Sequence, residues 1–133
     1  MKLTCGTGIY VDFPTSKGNI YTKQAVTDAL RDEVMLSNLR SGKMLGGLMT
    51  NDEHAGDVFT HIVRNIYVYK DEIVVDYEVL NNPEALRTFS ILKRPEAVII
   101  MMEKNNLSGI LTKLDRIRTV HLREKKVYVP SPL

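Results

Sequence analysis

The sequence contains one cysteine, no tryptophan and no long hydrophobic run, and these scarcities exclude several classes of protein. A single cysteine cannot form an internal disulfide or one of the cysteine pairs that structural zinc sites use. Cys5 is therefore predicted to be a small buried residue on a first strand. No segment approaches the roughly 18 consecutive apolar residues of a membrane-spanning helix, and the N-terminus lacks the apolar core of a signal peptide. A membrane protein is not expected.

The net charge of the chain is also small. The formal net charge is +2 for 133 residues, which is too little to indicate nucleic-acid binding. Without aromatic residues interleaved among them, the basic residues of the last part of the sequence are interpreted as a solvated or partner-facing surface: Lys113, Arg116, Arg118, Arg123, Lys125 and Lys126. The length and the hydrophobic content of 44% indicate one folded domain over residues 1–133.

A first helix is predicted behind Thr22, whose hydroxyl can accept a hydrogen bond from a first-turn N–H group. Apolar residues follow at helical spacing until Gly42 ends the segment: Val26, Ala29, Leu30, Val34 and Leu36. The paired glycines Gly46 and Gly47 then interrupt a short apolar strand, which indicates close backbone approach. The polar loop Thr50–Asp57 holds His54 among acidic and small residues.

The clearest pattern is the alternation of Val58–Leu80, which predicts an antiparallel hairpin with a short turn at Lys70-Asp71. By that alternation His61 shares a strand face with Val63 and Asn65, so it is interpreted as a packed or interface histidine. A second helix is predicted after Asn82, which precedes a proline at the first helical position.

The remaining chain predicts further strands. The continuous apolar segment Glu96–Glu103 indicates a strand covered on both faces. Arg116–Arg123 and Lys126–Val129 predict closing strands, while Ile110–Leu114 fits either a strand or a helical turn. These elements together indicate an α+β domain with a curved antiparallel sheet or small β-barrel and two main helices.

Several segments resemble the prohead maturation proteases of large contractile-tailed phages, which share the fold of the herpesvirus assemblins. The segments are "GNIYTKQAVTDAL…SGKMLGGL", "THIVRNI", "VLNNPEALRTF" and "TKLDRIRTVHLREKKVYVPS". Together they run along nearly the whole chain. The resemblance implies a serine-protease fold in which the loop after the first helix supplies a catalytic histidine.

The sequence departs from this family at the nucleophile. The family carries its serine in a "GxSSRG"-type strand after the second helix, and the matching residues 95–102 contain no serine, threonine or cysteine. The nucleophile position falls near Ile99–Ile100, and an aliphatic side chain has no lone pair for acyl transfer. No catalytic residue is therefore expected. Should the chain be a protease after all, the candidate residues are His54, His61, Ser108 and Ser90.

Three functions remain open at this point. The first is a non-catalytic structural protein of the phage virion, assembled in the host cytoplasm, which binds capsid or other virion proteins in a symmetric assembly. The second is an active prohead maturation protease, a serine endopeptidase that cleaves scaffold and capsid proteins, and the third is an unrelated α+β binding module. Neither a cofactor nor a metal is expected. Tyrosines suit half-wet interfaces, so the interface candidates are Tyr67, Tyr69 and Tyr77.

Overall fold

The computed structural model describes residues 2–49, 58–101, 109–114 and 116–125. Within these ranges the chain forms strands and helices in the order β1 (Lys2–Tyr10), β2 (Ile20–Tyr21), α1 (Lys23–Leu30), α2 (Glu33–Arg40), β3 (Leu45–Gly46), β4 (His61–Tyr69), β5 (Glu72–Val79), α3 (Pro83–Ile91), β6 (Pro95–Met101), β7 (Ile110–Leu111) and β8 (Ile117–Glu124). The predicted loop with His54, the residue Ser108 and the predicted strand Lys126–Val129 lie outside the described residues.

The predicted hairpin is confirmed as the antiparallel pair β4–β5. Its two-residue turn holds Lys70 and Asp71 at positive φ, 49° and 67°, which matches the right-handed twist of the flanking strands. A β-bulge lies between Val63 and Asn65. Because the bulge adds one residue, Asn65 turns outward while His61 and Val63 face the core, so the predicted common face of the three residues is wrong.

The strands form a strongly curled sheet. One sheet has the order β1-β5-β4-β3, and the pair β6-β8 continues it through a bridge between Leu48 and Leu122. At the other end β6 lies beside β1, so the sheet bends round into a half-barrel. The short parallel pair β2-β7 lies outside this series. This architecture confirms the predicted α+β class and curved antiparallel sheet.

The first predicted helical segment is divided into two helices. Thr22 caps α1 as predicted, accepting a hydrogen bond from the Ala25 N–H at 3.2 Å. The Asp32 carboxylate then caps α2 by accepting from the Met35 N–H at 2.9 Å, which restarts the helix with a new phase. Consequently Met35 is buried, and Val34, expected in the apolar stripe, is 47% exposed. The described residues therefore form three helices rather than the two main helices predicted.

The core fills the inside of the curled sheet. Cys5 is buried on β1 as predicted, and burial, together with the nearby carboxylates of Glu96 and Glu72, raises its thiol pKa to about 12. The second predicted helix is confirmed as α3, where Asn82 accepts from the Ala85 N–H at 2.8 Å. None of the helices in the described ranges has the length and apolar character needed to cross a bilayer.

Candidate functional site

The two described sheet segments meet where β3 lies between β4 and β8. On one edge the Thr60 N–H donates to the Gly46 carbonyl at 2.9 Å. On the other edge the Leu122 N–H donates to the Gly47 carbonyl at 3.0 Å, and the Met49 N–H donates to the Leu122 carbonyl at 2.8 Å. We call this place, defined by Gly46, Gly47, His61, Val120 and His121, the histidine junction.

His61 connects the two sheet segments from the inside of the barrel. Its Nε2–H donates to the Val120 carbonyl oxygen at 2.7 Å, and Nδ1 lies 3.0 Å from the Thr60 hydroxyl. Since a carbonyl oxygen only accepts, the proton of the neutral ring is on Nε2, and Nδ1 accepts from Thr60. Tyr77 and Phe89 pack edge-on against the ring at centroid distances of 5.7 and 6.4 Å.

Burial determines the protonation state of His61. The side chain is fully buried, and desolvation lowers its pKa from 6.5 to about 4. The hydrogen bond to Val120 opposes this shift, while the neighbouring His121 adds to it. His61 is therefore a neutral, packed histidine, and the predicted packing role is confirmed.

His121 connects the same strands from the outer face. Its Nδ1 accepts a hydrogen bond from the Gly47 N–H at 3.0 Å, so the neutral ring carries its proton on Nε2. The residue is half-buried, and desolvation lowers its pKa below the usual 6.5. In this arrangement the basic nitrogen of each described histidine already accepts a hydrogen bond. Neither ring has a lone pair free to remove a proton from a nucleophile.

Gly46 is a glycine because the His61 hydrogen bond crosses directly over its α-carbon. A Cβ at this position would collide with the Val120 carbonyl oxygen and with the imidazole of His61. The paired glycines therefore mark a close approach, as the sequence predicted, and here the approaching groups are a backbone carbonyl and a histidine ring.

By the sequence resemblance, β6 corresponds to the strand that carries the nucleophile in the prohead proteases, and the register of β6 places aliphatic residues beside the junction. Val98 lies opposite His121, Ile99 opposite Val120 and Ile100 opposite Thr119. Ile99 packs against the core. No residue of β6 from Pro95 to Met101 carries a hydroxyl or a thiol. The β6 side chains that lie opposite residues 119–121 thus supply no atom that could attack a carbonyl carbon.

An open cleft of about 490 Å³ lies between β1 and β6. Aliphatic side chains such as Ile9 and Val98 line one part, and the hydroxyl residues Thr15 and Ser16 line another. Its described lining contains no histidine. The cleft therefore brings hydroxyl groups and aliphatic surface together with the Glu96–Arg123 ion pair, and its described lining offers no histidine as a base.

Of the other predicted site residues, Ser90 lies in the part of the chain that the structure describes. Ser90 is exposed on α3 and donates to the Arg87 carbonyl at 2.6 Å, and it forms no hydrogen bond to a described histidine. His54 and Ser108 lie outside the described residues. In the described ranges, histidine, cysteine and acidic side chains form no group of three that could hold a metal ion.

The three interface candidates differ in accessibility. Tyr69 is 58% exposed, and the Lys70 ammonium lies 5.5 Å from its ring centroid. Tyr67 is half-buried on the same outer face and donates to Asp76 at 3.2 Å. Tyr77 is only 2% exposed and stacks on Phe89 within the core. The structure therefore corrects the interface prediction for Tyr77, which is a core residue.

Sequence reasoning did not identify His121 as part of a site. No local motif surrounds it, and its contacts with Gly47 and Val98 depend on the pairing of β8 with β3 and β6. The sequence feature that pointed to this contact was the pair Gly46-Gly47. It indicated that another group approaches the backbone closely, but it did not identify that group as His121.

The curled sheet, the glycine-marked β3 and the strand order together define an α+β protein with a prohead-protease-like fold. The chain is similar to a solved structure, that of the bacteriophage T4 capsid assembly protease, gp21, with a TM-score of 0.66 and 12% sequence identity. The match covers 92% of this chain and 80% of that chain. The sequence matches no protein-family model and no curated protein. At this identity the likeness establishes the fold.

Proposed function

We propose that this chain is a non-catalytic structural protein of a phage particle, which uses a prohead-protease-like fold to bind capsid or other virion proteins. The observation that carries the proposal is the pairing of His121 with Val98. A serine protease needs a nucleophile within hydrogen-bond reach of its base, and here the strand that carries His121 pairs with β6, which has no hydroxyl or thiol.

Two features support an assembly role. The chain shares its fold over 92% of its length with a protein named for capsid assembly. The occupied nitrogens of His61 and His121 support a structural use of residues that would otherwise suggest catalysis. Loss of chemistry together with retention of the fold is expected for a protein whose remaining task is binding.

The outer face of the β4–β5 hairpin is the proposed contact surface. Tyr69 is largely exposed and Tyr67 lies beside it, so the two rings offer amphipathic area at low entropic cost. Tyr10 lies in the same row as Tyr69, because both pair with Glu72. Phe13, which follows the end of β1, is also exposed. Exposed aromatic residues concentrated at one end of a sheet are typical of protein interfaces.

The test is the fate of the chain in mature particles of the phage that encodes it. Quantitative mass spectrometry of purified particles should find the intact chain at a fixed stoichiometry. Tyr69→Ser should reduce its incorporation, whereas Ile91→Ser, which changes an apolar residue that is 67% exposed on α3, should leave incorporation unchanged. A chain that is absent from mature particles, or equally incorporated in both variants, would contradict the proposed role or the proposed surface respectively.

An active maturation protease is the second candidate, because the fold neighbour is named as a protease. Its nucleophile and base would then be residues such as Ser108 and His54. The distinguishing measurement is cleavage of scaffold and capsid proteins during co-expression, compared with the Ser108→Ala and His54→Ala variants. The unrelated binding module is disfavoured by a fold likeness that extends over most of the chain.

A further inference from the structure

We propose that the histidine junction is an acid-sensitive clasp, in which protonation of His121 breaks its hydrogen bond to Gly47 and releases β3 from β8. The inference concerns the conformation of the fold and does not depend on the proposed function.

The chemistry of the clasp follows from the direction of one hydrogen bond. The Gly47 N–H donates to His121 Nδ1 at 3.0 Å. A proton on Nδ1 would turn this acceptor into a donor, so that two N–H groups would face each other. The bond would then be replaced by a repulsion, and the ring would have to leave β3.

Among the described residues, few other hydrogen bonds hold the same edge together. Backbone bonds connect Gly47 and Met49 with Leu122, and the Thr119 hydroxyl donates to the Leu45 carbonyl. The β4–β5 hairpin, by contrast, is paired along eight residues of each strand. The edge between β3 and β8 is thus a place where local opening costs less than unfolding of the hairpin.

The charged and titratable groups around His121 do not favour its charged form. On β4 the titratable neighbour is His61, which lies on the inner face of the sheet and whose own charging is disfavoured by burial and by His121. On β8, Arg123 follows His121 by two residues. The Arg123 guanidinium forms an ion pair with the Glu96 carboxylate of the adjacent strand β6, at an N–O distance of 2.8 Å. Residues 45–49 of the β3 segment carry no titratable side chain. Tyr77 of β5 packs on His61, and its hydroxyl stays neutral because burial raises its pKa to about 12.

His61 makes the response steeper. Its Nε2–H bond to Val120 also spans the edge between β3 and β8, and the ring is fully buried while that edge is closed. Opening exposes the ring to water, where it can take up a second proton. In the closed form both histidines have pKa values below the 6.5 of a solvated histidine, so protons bind more tightly to the open form. Lowering the pH therefore shifts the equilibrium towards the open form. The open population should therefore rise about tenfold per pH unit for each proton taken up, as pH falls below about 6.5.

Amide hydrogen exchange followed by NMR tests the clasp residue by residue. After correction for intrinsic exchange rates, the Gly47 and Leu122 amides should lose at least tenfold protection between pH 7 and pH 5. The amides of Ile66 and Val75 in the hairpin are the internal control and should keep their protection. In the His121→Gln variant the side-chain carbonyl can still accept a hydrogen bond from the Gly47 N–H, but the side chain cannot titrate. The protection of the Gly47 amide in this variant should therefore depend less on pH.

Two results would overturn the proposal. One is protection at Gly47 that does not change with pH, and the other is loss of protection at Gly47, Ile66 and Val75 together, which would indicate global unfolding. If His121→Gln does not fold, the imidazole nitrogen shifts of the wild-type protein provide the second measurement. His121 Nδ1 should gain its proton over the same pH range in which Gly47 loses protection, and protonation without that loss would refute the clasp.

Discussion

Replacing Gly46 with alanine should destabilise the fold far more than a typical glycine-to-alanine change. The φ angle of Gly46 is not in the left-handed region, so alanine introduces no backbone strain there. The cost is steric, because the new methyl group would occupy the space of the Val120 carbonyl oxygen and the His61 ring. Neither group can move without breaking the 2.7 Å hydrogen bond between them.

The magnitude follows from two contributions. Overpacking of a filled site costs about 1–3 kcal/mol. Breaking the His61 bond leaves a buried carbonyl and a buried imidazole N–H without partners, and an unsatisfied buried group costs about 1–3 kcal/mol. The lower entropy of the unfolded alanine chain returns about 0.4–1 kcal/mol. With the broken pair counted once, these terms give an expected net loss of about 1–5.5 kcal/mol, centred near 3 kcal/mol, which is a large share of the roughly 5–15 kcal/mol typical of a folded domain.

Urea denaturation followed by far-UV circular dichroism measures this loss, since the protein has no tryptophan for fluorescence. Gly6→Ala is the matched control, because the atoms nearest to its methyl group would be those at the flexible end of the Glu72 side chain. The control should lose less than about 1.5 kcal/mol, mainly through the displaced bond from the Gly8 N–H to Glu72. A loss below about 1 kcal/mol for Gly46→Ala would refute the close approach at the histidine junction.

Two further predictions concern the histidines. Because the folded-state pKa of His61 is about 4, below its unfolded value of 6.5, the neutral ring stabilises the fold fully above about pH 6.5. This contribution, about 3 kcal/mol from the pKa difference, should be lost as pH falls towards 4. Urea titrations at pH 7.5 and 4.5 should therefore show a larger decrease in the free energy of unfolding for the wild type than for His61→Phe. An equal decrease in the two proteins would contradict the prediction. Val98→Ser places a hydroxyl opposite His121, yet nitrophenyl ester hydrolysis should stay at background, because Gly47 already occupies His121 Nδ1. Hydrolysis that disappears when His121 is also changed to glutamine would show that the ring can act as a base.

Elements with a local pattern were predictable from the sequence. The hairpin follows from strict alternation around a two-residue turn, and α3 follows from its asparagine cap and proline. The division between α1 and α2 was missed because apolar spacing runs on across Asp32, whose carboxylate starts a new helix. In a pattern of apolar and polar residues, a polar residue that caps a helix cannot be distinguished from a polar residue on the exposed face of a continuous helix.

The candidate site depended on long-range register, which no local pattern supplies. The bulge after Val63 turned Asn65 away from His61, and a one-residue shift of this kind reverses every side chain beyond it. Tyr77 resembled the other hairpin tyrosines in sequence, but its strand face is the inner one. His121 acquires its contact with Gly47 only when β8 pairs beside β3. The absence of a hydroxyl from residues 95–102, in contrast, was readable directly.

The proposed function requires that the chain, which has a prohead-protease-like fold, does not hydrolyse peptide bonds. Co-expression with the scaffold and capsid proteins of the phage to which the proposal assigns the chain, followed by intact-mass spectrometry of all components, tests this requirement most directly. We predict that every scaffold and capsid mass stays unchanged while the chain sediments with the assembled particles. Cleavage products that vanish when Ser108 or His54 is replaced by alanine would contradict the claim.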